Sequence, residues 1–236
     1  MASSTAILVA LVALSHCFAA IPLAAATSFN VVNSCGGSQN IVVRENPGPS
    51  IGTSGFTLAP GESRSLSPPD LWGGNIGTGT PGLLAEFSIN SNSNNDFYDI
   101  SAVDGFFIGT GMSITGSGRG LTCRAEASTC PPENTNGNVC TSPNRDDPNS
   151  QYAQNVRASC PDAYSWSGDN TKTFATGTGG TFTITFCPGI TWIHPNRKPS
   201  HLRTTPIALR IVPSTSPMAG TMYRASSTNV PCSRSG

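Results

Sequence analysis

LLAEFSINSNSNNDFYDISAVDGF, Leu83–Phe106, contains two β-like runs, Leu83–Ile89 and Phe97–Val103, flanking the polar spacer Asn90–Asn95. This is the pattern of a hairpin or of two adjacent strands. Within Leu83–Ile89, Leu84, Glu86 and Ser88 share one face, while Leu83, Ala85, Phe87 and Ile89 share the other. A half-buried strand follows, with Glu86 on its solvent side. The same stretch gathers acids that are sparse elsewhere: Glu86, Asp96, Asp99 and Asp104. They read either as solubilising charges beside an ordinary hairpin or as part of a site.

Outward from this stretch the chain repeats short apolar runs between turn signals. Ser28–Val32 and Asn40–Arg44 read as the first two strands. Phe56–Leu58 and Glu62–Leu66 follow across the Ala59-Pro60-Gly61 turn. Residues 68–82 look loop-rich with Trp72 as their anchor, and 131–149 look like an irregular loop. Asp147 before Pro148 predicts a helix N-cap and first turn, with a short helix over 148–159 carrying Tyr152 and Val156 on one face. Thr181–Phe186, TFTITF, alternates strictly and is the clearest strand. Many short strands and at most one short helix predict an all-β fold, an antiparallel sandwich or barrel.

Composition narrows the function classes. Thirteen basic and thirteen acidic residues in 236 leave a formal net charge of zero, so no basic footprint for nucleic acid or an acidic membrane is present. Charged residues make up 11%, against roughly 25% in ordinary domains. No complete N-glycosylation triplet occurs. Residues 1–26 read as a secretory signal peptide, with the apolar run AILVALVAL and a small-residue site at Ala24-Ala25-Ala26. Ser15, His16 and Pro22 interrupt that run, which argues against a membrane anchor. Removing the leader leaves seven cysteines for an oxidising compartment: 35, 123, 130, 140, 160, 187 and 232. The histidines are at 16, 194 and 201, so 27–189 has none. That excludes His-dependent triads and His-ligated metals there, and no metal or cofactor is expected. Beyond Gly189, residues 190–236 lose sustained periodicity and read as a disordered extension to the 27–189 domain.

FNVVNSC, APGES, LAEFSIN, DFYDISAVDGF, CRAEASTCP, CPDAYSW and TFCPG, in this order across 28–189, resemble the thaumatin-like, pathogenesis-related family of secreted plant and fungal proteins. The resemblance implies a flattened β-sandwich of the small type with a reduced disulfide set. It implies the pairs Cys35–Cys187, Cys123–Cys160 and Cys130–Cys140, and leaves Cys232 over. A further family bridge falls on Gly118 and Thr176 and is lost as a unit.

Family members with glucan-directed activity carry an acidic cleft, and the resemblance places its acids at Glu86, Asp99, Asp104 and Asp169. It implies Glu86 as proton donor and Asp99 or Asp104 as base or nucleophile. The cleft arginine falls on Gly74. Asp96 matches no cleft position and reads as a turn residue. Phe97, Tyr98, Phe106 and Tyr164 are candidates for stacking on sugar rings, most of them expected in the core. The implied function is binding of β-1,3-glucan by a monomeric, secreted protein of the apoplast or cell wall, with antifungal activity. The alternatives are a weak endo-β-1,3-glucanase and an inhibitor of a microbial glycanase such as a xylanase.

Overall fold

The computed structural model describes residues 26–189. The leader expected over 1–26, apart from Ala26, and the extension expected over 190–236 lie outside the described residues. In chain order the strands are β1 Ser28–Asn33, β2 Gln39–Glu45, β3 Gly55–Leu58, β4 Ser63–Leu66, β5 Gly73–Gly77, β6 Leu84–Asn92, β7 Asn95–Ser101, β8 Gly105–Phe107, β9 Met112–Gly116 and β10 Leu121–Cys123. They continue as β11 Thr135–Asn136, β12 Val139–Thr141, β13 Ala163–Tyr164, β14 Phe174–Gly177 and β15 Thr181–Phe186, and one helix, α1 Gln151–Ser159, precedes β13.

Two sheets dominate. One runs β10-β9-β15-β1-β4; the other runs β13-β7-β6-β5-β2-β3, with β14 also pairing β7. A small sheet β11-β12-β8 stands apart. Most pairings are antiparallel, but β1 runs parallel to β15, joining the two ends of the domain. β1 and β2 are successive strands, yet they lie in different sheets, as do β3 and β4. This sheet-switching makes a sandwich rather than a meander. Between Ala59 and Glu62 the switch is a type II turn, closed by Glu62 N–H donating to the Ala59 carbonyl at 3.0 Å with Gly61 at φ 79°.

The alternation that defines each strand also builds the core. Phe29, Ile184 and Phe182 from one sheet meet Phe87, Tyr98 and Ile100 from the other, all buried. Ring centroids lie 4.5 Å apart for Phe29–Phe87, 4.9 Å for Tyr98–Phe182 and 5.2 Å for Phe87–Phe182. Offset aromatic contacts of this kind add stabilisation beyond their buried area.

The hairpin expected in Leu83–Phe106 is β6–β7. Its turn residues Ser93 and Asn94 have φ 53° and 60°, a type I′ turn whose twist matches the strands. The register slips between Ser88 and Asn92, a bulge that frees the backbone N–H of Asn90. Asp96 accepts that N–H at 2.9 Å, together with the hydroxyls of Thr27 at 2.6 Å and Thr178 at 2.9 Å. Asp96 is therefore no turn residue: it is fully buried. Its carboxylate ties the bulge to the first described residues and to the β14–β15 loop.

Three further expectations change. Residues 68–82 contain the central strand β5, whose glycines hid it. A Cβ on Gly74 would meet the Arg44 carbonyl oxygen at 2.3 Å and the Trp72 ring at 2.9 Å, so the close packing here admits only glycine. The loop 131–149 holds β11 and β12. Helix α1 begins three residues later than Pro148, with Ser150 as N-cap accepting from Ala153 N–H at 3.2 Å. Asp147 instead closes a local turn by accepting from Asn149 N–H at 2.8 Å, the competing use of such side chains.

Every cysteine among the described residues is bonded: Cys35–Cys187, Cys123–Cys160 and Cys130–Cys140. The first spans 152 residues and the third 10. On a chain-entropy account, removing the pair Cys35/Cys187 is expected to lower the unfolding free energy by about 5 kcal/mol, against about 3 kcal/mol for Cys130/Cys140. Urea unfolding of the two Cys→Ala double variants measures the ranking; equal losses would contradict it.

Candidate functional site

β6 and β7 pair so that Glu86 stands directly opposite Asp99, with Asn75 of β5 opposite Glu86 on its other side and Arg44 of β2 beyond Asn75. All four therefore share one face of the sheet. The opposite face carries Phe87 and Tyr98 into the core. A cavity of about 170 Å³ opens on the acidic face, lined among others by Asn46, Asn75, Glu86, Phe97, Asp99 and Thr173.

The electrostatics of the pair follow from burial. Burial, and after it the charge of the facing Glu86, push the Asp99 carboxyl up to about 8. Glu86 is also raised, chiefly by burial; a hydrogen bond from Ser101 opposes this, Asp104 adds to it and Arg145 opposes it. One Asp99 carboxylate oxygen is buried with no hydrogen-bond partner. Two carboxylates facing each other under partial burial favour holding a proton between them. With Asp99 raised to about 8, the pair keeps a proton at neutral pH.

The other two acids stand near this pair without lining its cavity. Asp104, after β7, has Arg145 Nη1 at 3.6 Å from its carboxylate. Asp169 precedes a short 3₁₀ turn and is buried; Thr171 donates to one of its oxygens at 2.9 Å, while the other has no partner. Tyr164 links the group. Burial raises its hydroxyl, and the charges of Asp99, Glu86 and Asp169 raise it further. Of the aromatic candidates, Tyr98 and Phe106 are buried in the core. Phe97 and Tyr164 are half-buried on the acidic side.

Gly74 lines the acidic cavity with its backbone, but a Cβ there would point at the Arg44 carbonyl and the Trp72 ring and not at the acids. The alternation from Trp72 turns it towards the same side as the Trp72 ring, and Asn75 is the β5 residue opposite Glu86. Asn46, Asn75, Thr173 and Arg145 were not singled out from the sequence. None of the four carried a local signal that would single it out. Arg145 reaches the site through a loop fixed from afar: its carbonyl accepts Ser167 N–H at 2.8 Å, and Ser167 Oγ donates to Asp146 at 2.5 Å.

Residues 126–188 match the Thaumatin family. Pathogenesis-related thaumatin-like protein 3.5 of Cryptomeria japonica is 30% identical over 226 residues, which cover 70% of this chain and 91% of that protein. A Prunus avium protein named glucan endo-1,3-beta-glucosidase is 29% identical over 201 residues, 59% of this chain and 81% of its own length. Among solved structures, a thaumatin-like xylanase inhibitor aligns over 68% of this chain and 99% of its own, at 16% identity and a TM-score of 0.42.

The raised carboxyl has a consequence for stability. The folded chain keeps a proton on Asp99 that the unfolded chain releases near its ordinary value of 3.8. This contribution is complete below about pH 4 and is lost as pH rises to about 8. Asp99→Asn cannot ionise, so it is expected to match the wild type near pH 4. Near pH 8 it should exceed the wild type by a few kcal/mol, at about 1.4 kcal/mol for each pH unit between the two values. Urea midpoints across this range decide it: parallel pH curves for the two proteins would contradict the assignment.

Proposed function

The chain belongs to the thaumatin family, and on that premise we propose that it is a secreted, wall-associated defence protein that binds β-1,3-glucan through the face carrying Glu86 and Asp99. One observation carries this reading: two facing carboxyls share a cavity with the amides of Asn46 and Asn75 and the half-buried ring of Phe97. A neutral sugar offers hydroxyls and flat C–H faces. A protonated carboxyl of the pair can donate a hydrogen bond, its partner carboxyl and the amide oxygens can accept them, and Phe97 can stack. Asp104 and Asp169, with Tyr164 between the acids, extend the polar surface beside the cavity. The reading includes cleavage of a leader over 1–26, a folded domain over 27–189 and an appended segment over 190–236.

A second reading, weak endo-β-1,3-glucanase activity, is favoured by the unequal proton affinities of the pair. Glycoside hydrolysis needs one carboxyl protonated and one ionised. Burial raises both carboxyls, Asp99 to about 8, so Asp99 can serve as the acid with Glu86 as base or nucleophile, as an alternative to Glu86 as donor with Asp99 or Asp104 as base or nucleophile. The relative from Prunus avium carries such an activity in its name.

Retention of the full chain on insoluble β-1,3-glucan, competed by soluble laminarin, tests binding. Asn75→Ala is expected to weaken retention about fivefold, the worth of one hydrogen bond of about 1 kcal/mol. Absence of retention by the wild type overturns the reading. Reducing-end release that is present in the wild type and absent in Glu86→Gln establishes the glucanase instead.

A further inference from the structure

The geometry points to a second carbohydrate subsite, for an uncharged sugar unit, in a cavity of about 280 Å³ separate from the acidic one. Its lining includes Gln39, Asn40, Thr78, Phe107, Thr110 and Asn138, and no ionisable side chain contributes to it. It rests on the polysaccharide reading above only for the kind of polymer bound.

Phe107 is the first reason. β8 alternates, so Phe106 is buried in the core while Phe107 points the other way and is half-buried. Phe107 belongs neither to the core nor to the side chains packed against it. An aromatic ring left over from packing, at the wall of a polar cavity, is the element that a sugar's C–H face requires.

The polar groups are the second reason, because some are already oriented. Thr57 donates its hydroxyl to Asn40 Oδ1 at 2.8 Å, which turns the two Asn40 N–H donors outward. Thr110 donates to the Phe107 carbonyl at 2.6 Å, leaving its oxygen as an acceptor. Gln39 and Asn138 add amides that both donate and accept. The frame is rigid: Phe107 pairs with Val139, next to Cys140 of the Cys130–Cys140 bridge, and Ile108 N–H donates to the Asn138 carbonyl at 2.8 Å. Uncharged donors and acceptors around one ring fit a neutral sugar. They offer no opposite charge to a phosphate, a carboxylate or a cation.

Placement is the third reason. Asn75 at the acidic cavity and Thr78 at this one are three residues apart, a span of at most about 10 Å of chain. A polysaccharide occupying the first site has its continuation within reach of the second, and two linked contacts strengthen each other by effective concentration.

The test is an amide NMR titration of the ¹⁵N-labelled full chain with laminarihexaose. Saturable shifts are expected at the side-chain amides of Gln39 and Asn138 and at the backbone of Phe107–Thr110, alongside shifts at Asn46 and Asn75. The double variant Gln39→Ala/Asn138→Ala, at a half-buried and an exposed position, is expected to keep a dispersed spectrum, to retain the acidic-face shifts and to bind hexaose five- to tenfold more weakly. Shifts confined to the acidic face overturn the subsite and leave the acidic-face reading standing. Shifts at Gln39 and Asn138 with none at Asn46 or Asn75 support the subsite and overturn that reading. No shift anywhere overturns both.

Discussion

The pairing of β6 with β7 sets a constraint that the surrounding structure must accommodate, because its register puts Glu86 across from Asp99 on a partly buried face. Opposed carboxylates in an antiparallel pair repel when both are ionised. Moving the strand by one residue would relieve the repulsion, but it would also turn Phe87 and Tyr98 out of the core. Core packing therefore holds the acids together, and the conflict is resolved by protonation. A half-buried site that keeps a proton at neutral pH costs the fold stability, and such costs concentrate where chemistry or binding occurs.

The scaffold holds this register by several devices remote from the acids. Asp96 accepts three hydrogen bonds behind the bulge in β6. Gly74 lets β5 lie close against Arg44 of β2 and the Trp72 ring, in the register that sets Asn75 opposite Glu86. Trp72 donates its indole N–H to Glu45 at 3.1 Å, pinning the start of β5 to the end of β2. The bridge from Cys35 to Cys187 and the parallel pairing of β1 with β15 join the domain's two ends. Each acts on the acidic face only through strand position, which is how a rigid sheet keeps functional groups in place.

How far the structure could be read beforehand depended on whether a residue's partners were local. LLAEFSIN and TFTITF show their faces by alternation alone, and both are strands whose apolar faces enter the core. Turn chemistry exposed the Ala59–Glu62 switch. GGNIG lacks side chains to alternate, so β5 became visible only through its neighbours. Asp96 sits beside a spacer rich in Asn and Ser, and nothing local distinguishes a buried acceptor of distant hydroxyls from a turn residue. Asp147 and Ser150 are both good caps, and the choice between them depends on competing turn bonds. At the site, the residue types were legible from family motifs. The orientation of residue 74, the contribution of Asn75 and the approach of Arg145 all required the third dimension.

The central claim is that the Glu86–Asp99 pair keeps a proton at neutral pH. Carboxyl-carbon NMR of the side chains, followed from about pH 3 to about pH 10 in the wild type and in Glu86→Gln, measures this directly. The account predicts that Asp99 titrates at about 8 in the wild type and lower in the variant, which lacks the facing charge. Titration of Asp99 in the ordinary aspartate range, at about 3.9 in both proteins, would contradict it.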